Sequence, residues 1–171
     1  MAENLNFDPQ KGNSWCYDGE DSKCKEYGRL YDWATAMNIN TAFNSASWNG
    51  SDVKHQGVCP MGWHLPSRQE WEDLIIAVGG TSGAGKKLKS KIGWNSGTST
   101  DDYGFSALPG GVRRPEGSFD GAGLFGDWWA ATDGYDGSNT YFRNMDYNGD
   151  GVLEDYYVKS LGLSVRCVKN D

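Results

Sequence analysis

Positive charge is scarce in this chain: 16 Lys and Arg stand against 23 Asp and Glu, a formal net charge of −7. A surface of that sign repels nucleic-acid phosphates and anionic membranes alike, so neither is an expected partner. Long apolar runs are missing too, and no segment reads as a membrane span. Histidine is limited to His55 and His64. From so small a supply no zinc-like cluster and no Ser–His–Asp order emerges. Repeats, linkers and low-complexity tracts are absent. The opening MAENLNFDPQ lacks a basic n-region and an apolar h-region, and Met1-Ala2 is read as a remnant left where a signal peptide was removed.

What is there points to a loop-rich extracellular domain. The 171 residues fit one domain with a substantial core. The 24 glycines are about double the usual ~7% and carry no period, the mark of many turns. Aromatics reach 13%, with eight Trp and nine Tyr, so rings fill much of the interior. Four cysteines allow three pairings. Cys16 and Cys24 lie close together among turn formers, which favours a local bridge. Cys59 and Cys167 would then tie the middle of the chain to its last strand. Four buried free thiols in a cytosolic protein are the alternative.

The chain is organised around Gly57–Leu74, GVCPMGWHLPSRQEWEDL. Ser67 followed by Glu70 is a capping box. Trp71, Leu74, Ile75 and Val78 form one apolar helical stripe, stopped by Gly79-Gly80. Residues 1–14 read as a polar tail, poorly ordered at its start, and 15–171 as the domain. The i, i+3, i+4, i+7 spacing of Leu30, Trp33, Ala34 and Met37 predicts a first helix over about Glu26–Met37. Asn38–His55 is a long loop. Past Gly80, glycine leaves room only for a short helix over Ala84–Ser90. Strand pieces are expected at Phe105–Leu108 and Gly111–Arg113, and a buried strand at Trp128–Thr132. Thr140–Tyr147 and Val152–Lys159 read as a hairpin, and Leu163–Val168 closes the chain as an alternating strand. The class is α+β: two helices, then a small twisted antiparallel sheet with long Gly-rich loops.

The segments YGRLYDWATAM, VCPMGWHLPSRQEWEDL, AGKKLKS, DDYGFSALPGGVR, GDWWAAT and LGLSVRCVKN, in that order, resemble the Fibrobacter succinogenes major paralogous domain family. The resemblance covers about Trp15–Asn170 and implies a secreted or surface-attached bacterial domain, often a lipoprotein. HLPSRQEWE is also similar, more distantly, to the RLPTEAEWE of formylglycine-generating enzymes, and LSVRC to their GFR strand. Those enzymes share the C-type lectin-like fold, two helices on a small sheet with a long functional loop region, and the resemblance implies that fold here. The activity does not carry over. It needs a reactive cysteine pair near the C-terminal part of the domain, where this chain has Cys167 alone. No catalytic residue is expected, and no cofactor other than the calcium ion weighed below.

Single motifs are weighed against plainer accounts. His64, among Trp63, Leu65 and Pro66, reads as a buried, hydrogen-bonded structural imidazole. Gly79–Lys86, GGTSGAGK, suggests a phosphate loop only superficially, because Lys87 and Leu88 follow instead of Ser or Thr and a helix precedes it. Asp146, Asn148 and Asp150 occupy the first, third and fifth positions of an EF-hand-like loop. Its twelfth position is Tyr157 and no flanking helices are evident, so a plain hairpin turn competes with a calcium site. Of Trp128 and Trp129, one is expected in the core and the other exposed, since neighbours on a strand point to opposite faces.

The expected ligand site lies on the sheet-end loops: Trp94, Trp128 or Trp129, Asp133, Tyr135, Asp136, Tyr141 and Arg143. Rings stack on sugar faces while planar polar groups bind hydroxyls. The chain therefore reads as a noncatalytic, monomeric binding or adhesion module of the cell exterior, with a glycan as its ligand. A protein–protein or structural module of a surface assembly is the alternative. A formylglycine-generating-type enzyme is the remoter one.

Overall fold

Glycine and capping residues decide where each element starts and stops. The computed structural model describes residues 3–97 and 99–171. In chain order these form β1 (Ser14–Trp15), α1 (Asp21–Tyr27), β2 (Leu30–Tyr31), α2 (Trp33–Ala36), β3 (Trp63–His64), α3 (Arg68–Ala77) and α4 (Thr81–Leu88). There follow β4 (Val112–Arg113), β5 (Phe119–Asp120), β6 (Phe125–Asp133), β7 (Asn139–Asp146), β8 (Leu153–Val158) and β9 (Val168–Lys169). The class is α+β with small antiparallel sheets, the largest being β6-β7-β8.

Helix α3 begins as its capping box requires. The Ser67 hydroxyl accepts from the Glu70 N–H at 3.2 Å, and the Glu70 carboxylate accepts from the Ser67 N–H at 2.9 Å. Gly79 and Gly80, both at positive φ, stop it. The first expected helix is different. Gly28 sits at φ 79° and ends α1 at Tyr27, and Asp32 starts α2 by accepting from the Thr35 N–H at 2.8 Å. Between them β2 pairs with β1. The helical spacing of Leu30, Trp33, Ala34 and Met37 is satisfied because all four are buried, whichever local shape carries them.

Strand β6 lies between two cores. Trp129, Ala131 and Phe142 face one, with Trp33, Leu163 and Val165. Trp128, Ala130 and Met145 face the other, with Trp71, Ile75 and Leu88 from α3 and α4. This corrects the expectation that one tryptophan is exposed: both are fully buried. Each indole finds a partner, Trp128 Nε1 donating to Asn4 Oδ1 at 2.9 Å and Trp129 Nε1 to the Tyr31 carbonyl at 2.7 Å. A sheet covered on both sides has no exposed position to offer either ring.

The same double covering changes both termini of the domain. Residues 161–167 are buried without alternation, because the segment runs between β2 and β6. It makes bridges at Tyr31–Leu163 and Trp128–Ser164, and regular pairing begins only at β9. The proposed tail is not loose at Asn4 and Leu5. The Leu5 N–H donates to the Val165 carbonyl, and Asn4 is buried against Trp128 and Arg166. Disulfides Cys16–Cys24 and Cys59–Cys167 are both formed, the second joining the approach to α3 to the last strand. Such pairs belong to an oxidising environment.

Candidate functional site

The β7–β8 hairpin forms one side of the three-stranded sheet, with β8 at its edge. Its register sets Tyr141 opposite Tyr156 and Arg143 opposite Glu154. Strand alternation therefore places these four side chains on one face, the face toward α3. On it the tyrosines form a row. Tyr135 stacks on Tyr156 with ring centroids 5.0 Å apart and planes 9° from parallel. Tyr156 meets Tyr141 at 5.0 Å, and the Arg68 guanidinium closes the row 4.4 Å over the Tyr141 ring. The outermost ring, Tyr135, is 83% exposed.

Beyond Arg68 the row opens into a cleft of about 670 Å³ between α3 and the hairpin. Arg68 Nε and Nη2 donate to the two Glu154 carboxylate oxygens at 2.8 and 2.6 Å. Beneath them the buried Arg143 reaches Glu154 at 2.8 Å and Glu72 at 3.5 Å. The hydrogen bond from Arg68 holds Glu154 below the usual carboxylate range, while burial pulls Arg143 below the usual guanidinium value. On the far wall the Thr132 hydroxyl donates to Asp52. Glu154 and Glu72 are paired with the two guanidinium groups, while Asp52 is held, among the described residues, by the Thr132 hydroxyl alone. Planar polar groups of this kind suit a hydroxyl-rich ligand.

Four residues anticipated from sequence, Tyr135, Asp136, Tyr141 and Arg143, gather at this face. The Asp136 carboxylate lies near Tyr156, whose phenol is raised first by burial and then by that charge. Arg143 forms the floor and is not free to meet a ligand. Trp128 and Trp129 are in the cores. Trp94 lies apart, its Nε1 donating to the Ala107 carbonyl at 3.0 Å. Asp133 is paired with the fully buried Lys159 at 2.5 Å. Sequence reasoning missed Tyr156, Glu154, Glu72 and Arg68. The hairpin register was the signal for the first two, since it sets them across from Tyr141 and Arg143.

The Asp146–Asp150 turn directs two carbonyl oxygens at a cation of the chain itself. Lys89 Nζ donates to the Asp146 and Gly149 carbonyls at 2.9 and 2.7 Å, and burial lowers its pKa. Among the described residues no group of three or more His, Cys, Asp and Glu is placed to hold a metal ion. The GGTSGAGK run is mostly helix α4, and its Gly85 has a packing role: a Cβ there would run into the Gly151 carbonyl oxygen. His64 is buried, with Nε2 2.6 Å from Glu70 and Nδ1 2.6 Å from Asn170 Oδ1. It braces the capping box and has no exposed ring atom aimed at either cleft wall.

Comparison with known proteins gives one family. The model of the Fibrobacter succinogenes major domain matches residues 1–169, and the chain belongs to that family. No curated protein and no solved structure matches it. No helix among the described residues is long and apolar enough to cross a membrane.

Proposed function

We propose that this domain is a noncatalytic binding module that works outside the bacterial cell, and that it recognises a glycan on the tyrosine face of the β7–β8 hairpin. The observation that carries this reading is the bare outer ring of Tyr135, held flat by its stack on Tyr156. A rigid exposed aromatic plane beside a cleft of matched guanidinium and carboxylate groups has the chemistry of sugar binding: stacking on the ring, hydroxyls on the planar polar groups. Two disulfides fit an extracellular setting. The C-type lectin-like fold belongs to the same proposal. Its support is the pattern of α3 and α4 against a small sheet, with long loops between the elements.

A glycan array with the purified domain tests the reading. Little area is buried, so affinity is expected between about micromolar and millimolar. Tyr135→Ala removes an exposed ring and its stack on Tyr156, so the variant should fold with at most a slightly lower melting temperature and lose glycan binding. Full binding by that folded variant would place the site elsewhere.

A further inference from the structure

The opposite face of the same hairpin holds a second pocket, of about 220 Å³. The strand registers put Asp127 opposite Asn144 and Phe142 opposite Asp155. Rings of Phe125, Phe142 and Tyr157 form its walls. Asp127 lines this pocket although only 6% of it is exposed. Asn144 Nδ2 donates to Asp127 Oδ1 at 2.7 Å, and among the described residues no hydrogen bond reaches Oδ2. Asp155 is exposed and turns one oxygen to the Tyr156 N–H at 2.7 Å. Neither carboxylate has an ion-pair partner among the described residues, and Arg114 at the rim is taken by Asp120 at 2.7 Å.

A carboxyl buried without a counter-charge is costly. Burial, with Asp155 and Asp146 adding to it, pushes Asp127 up to about 7. The chemistry that would relieve this site is a cation carried on an apolar stem. We infer that this pocket takes the side chain of a lysine from a polypeptide partner. The methylenes lie along the aromatic walls and the ammonium donates to Asp127 Oδ2 and to Asp155. A hexosamine fits less well, because its amine sits directly on a ring and has no apolar stem to lie along the aromatic walls. A hard metal ion needs more oxygen ligands than two carboxylates and one amide supply.

The test is an NMR titration of the intact domain with Nα-acetyl-lysine methylamide, using the norleucine analogue and glucosamine as controls. Amide shifts at Asp127, Asn144 and Asp155 are expected with the lysine analogue alone. Asp127→Asn and Asp155→Asn should each weaken it by about tenfold or more. Asp155 is exposed, so its variant reports even if Asp127→Asn fails to fold. Tyr135→Ala should leave the lysine response unchanged, which separates this site from the glycan face. Equal shifts from norleucine, tighter binding of glucosamine, or unchanged lysine binding in folded Asp155→Asn would each overturn the inference.

Discussion

Asp127 carries a pH liability that a single substitution exposes. Its pKa rises from 3.8 to about 7 in the folded chain because burial disfavours the charged form. The folded state therefore holds a proton that the unfolded state has released across that window, and stability falls as pH rises from about 4 to 7. Asp127→Asn should flatten this slope and stabilise the protein at pH 8 by roughly 1–4 kcal/mol. Urea denaturation at pH 5 and pH 8 measures both. Lys89 is the converse case, a buried cation with built partners. Lys89→Met should cost about 1–3 kcal/mol, because the Asp146 and Gly149 carbonyls lose their donor. A melting temperature equal to wild type would show that the turn holds itself.

At the scale of elements, α3 depends on the box that begins it. Ser67→Ala should cost about 1 kcal/mol, read as a lower denaturant midpoint with unchanged slope. Glu70 is opposed by burial, yet hydrogen bonds from Ser67 and His64 hold it below its ordinary 4.5. That stabilisation is present above 4.5 and is lost as acid takes the pH through the lower folded value. Ser67→Ala should therefore reduce the acid sensitivity as well as the stability. Helix α4 is limited by approach distance. Gly85→Ala would push a methyl group into the Gly151 carbonyl, at an expected cost of about 1–3 kcal/mol or more. Thermal melting of the variant checks it.

For the whole molecule, the Cys59–Cys167 bridge spans 108 residues and joins the approach to α3 with β9. Replacing both cysteines with alanine should lose about 4–5 kcal/mol, if loop entropy of the unfolded chain dominates. Guanidinium denaturation under oxidising conditions measures it. The bridge also explains how a domain with few long elements holds its loops. Most of the strands are two residues long, so pairing alone supplies little, and two cores on either side of β6 supply the rest.

Local chemistry in the chain determined the capping box and α3, the hairpin of β7 and β8, both disulfide pairs, the α+β class and the family. Apart from Cys59–Cys167, which spans 108 residues and follows from pairing Cys16 with Cys24 first, each of these rests on residues near one another in sequence or on a motif with few readings. Ser67 and Glu70 need only three residues of spacing, and Asn148–Gly151 needs only a turn. Tertiary structure alone decided the rest. Gly28 and Asp32 overrode a helical spacing because burial on all sides rewards any local shape that hides Leu30, Trp33 and Met37. Trp129 could not be placed from its strand, since β2, α2 and the segment at 161–167, all distant in sequence, cover that face. Tyr156, Glu154 and Arg68 came to share one face through the register of β7 with β8 and the docking of α3 across them. Strand alternation says which residues share a face. What stands opposite that face is set by packing between segments tens of residues apart, and no local pattern encodes it.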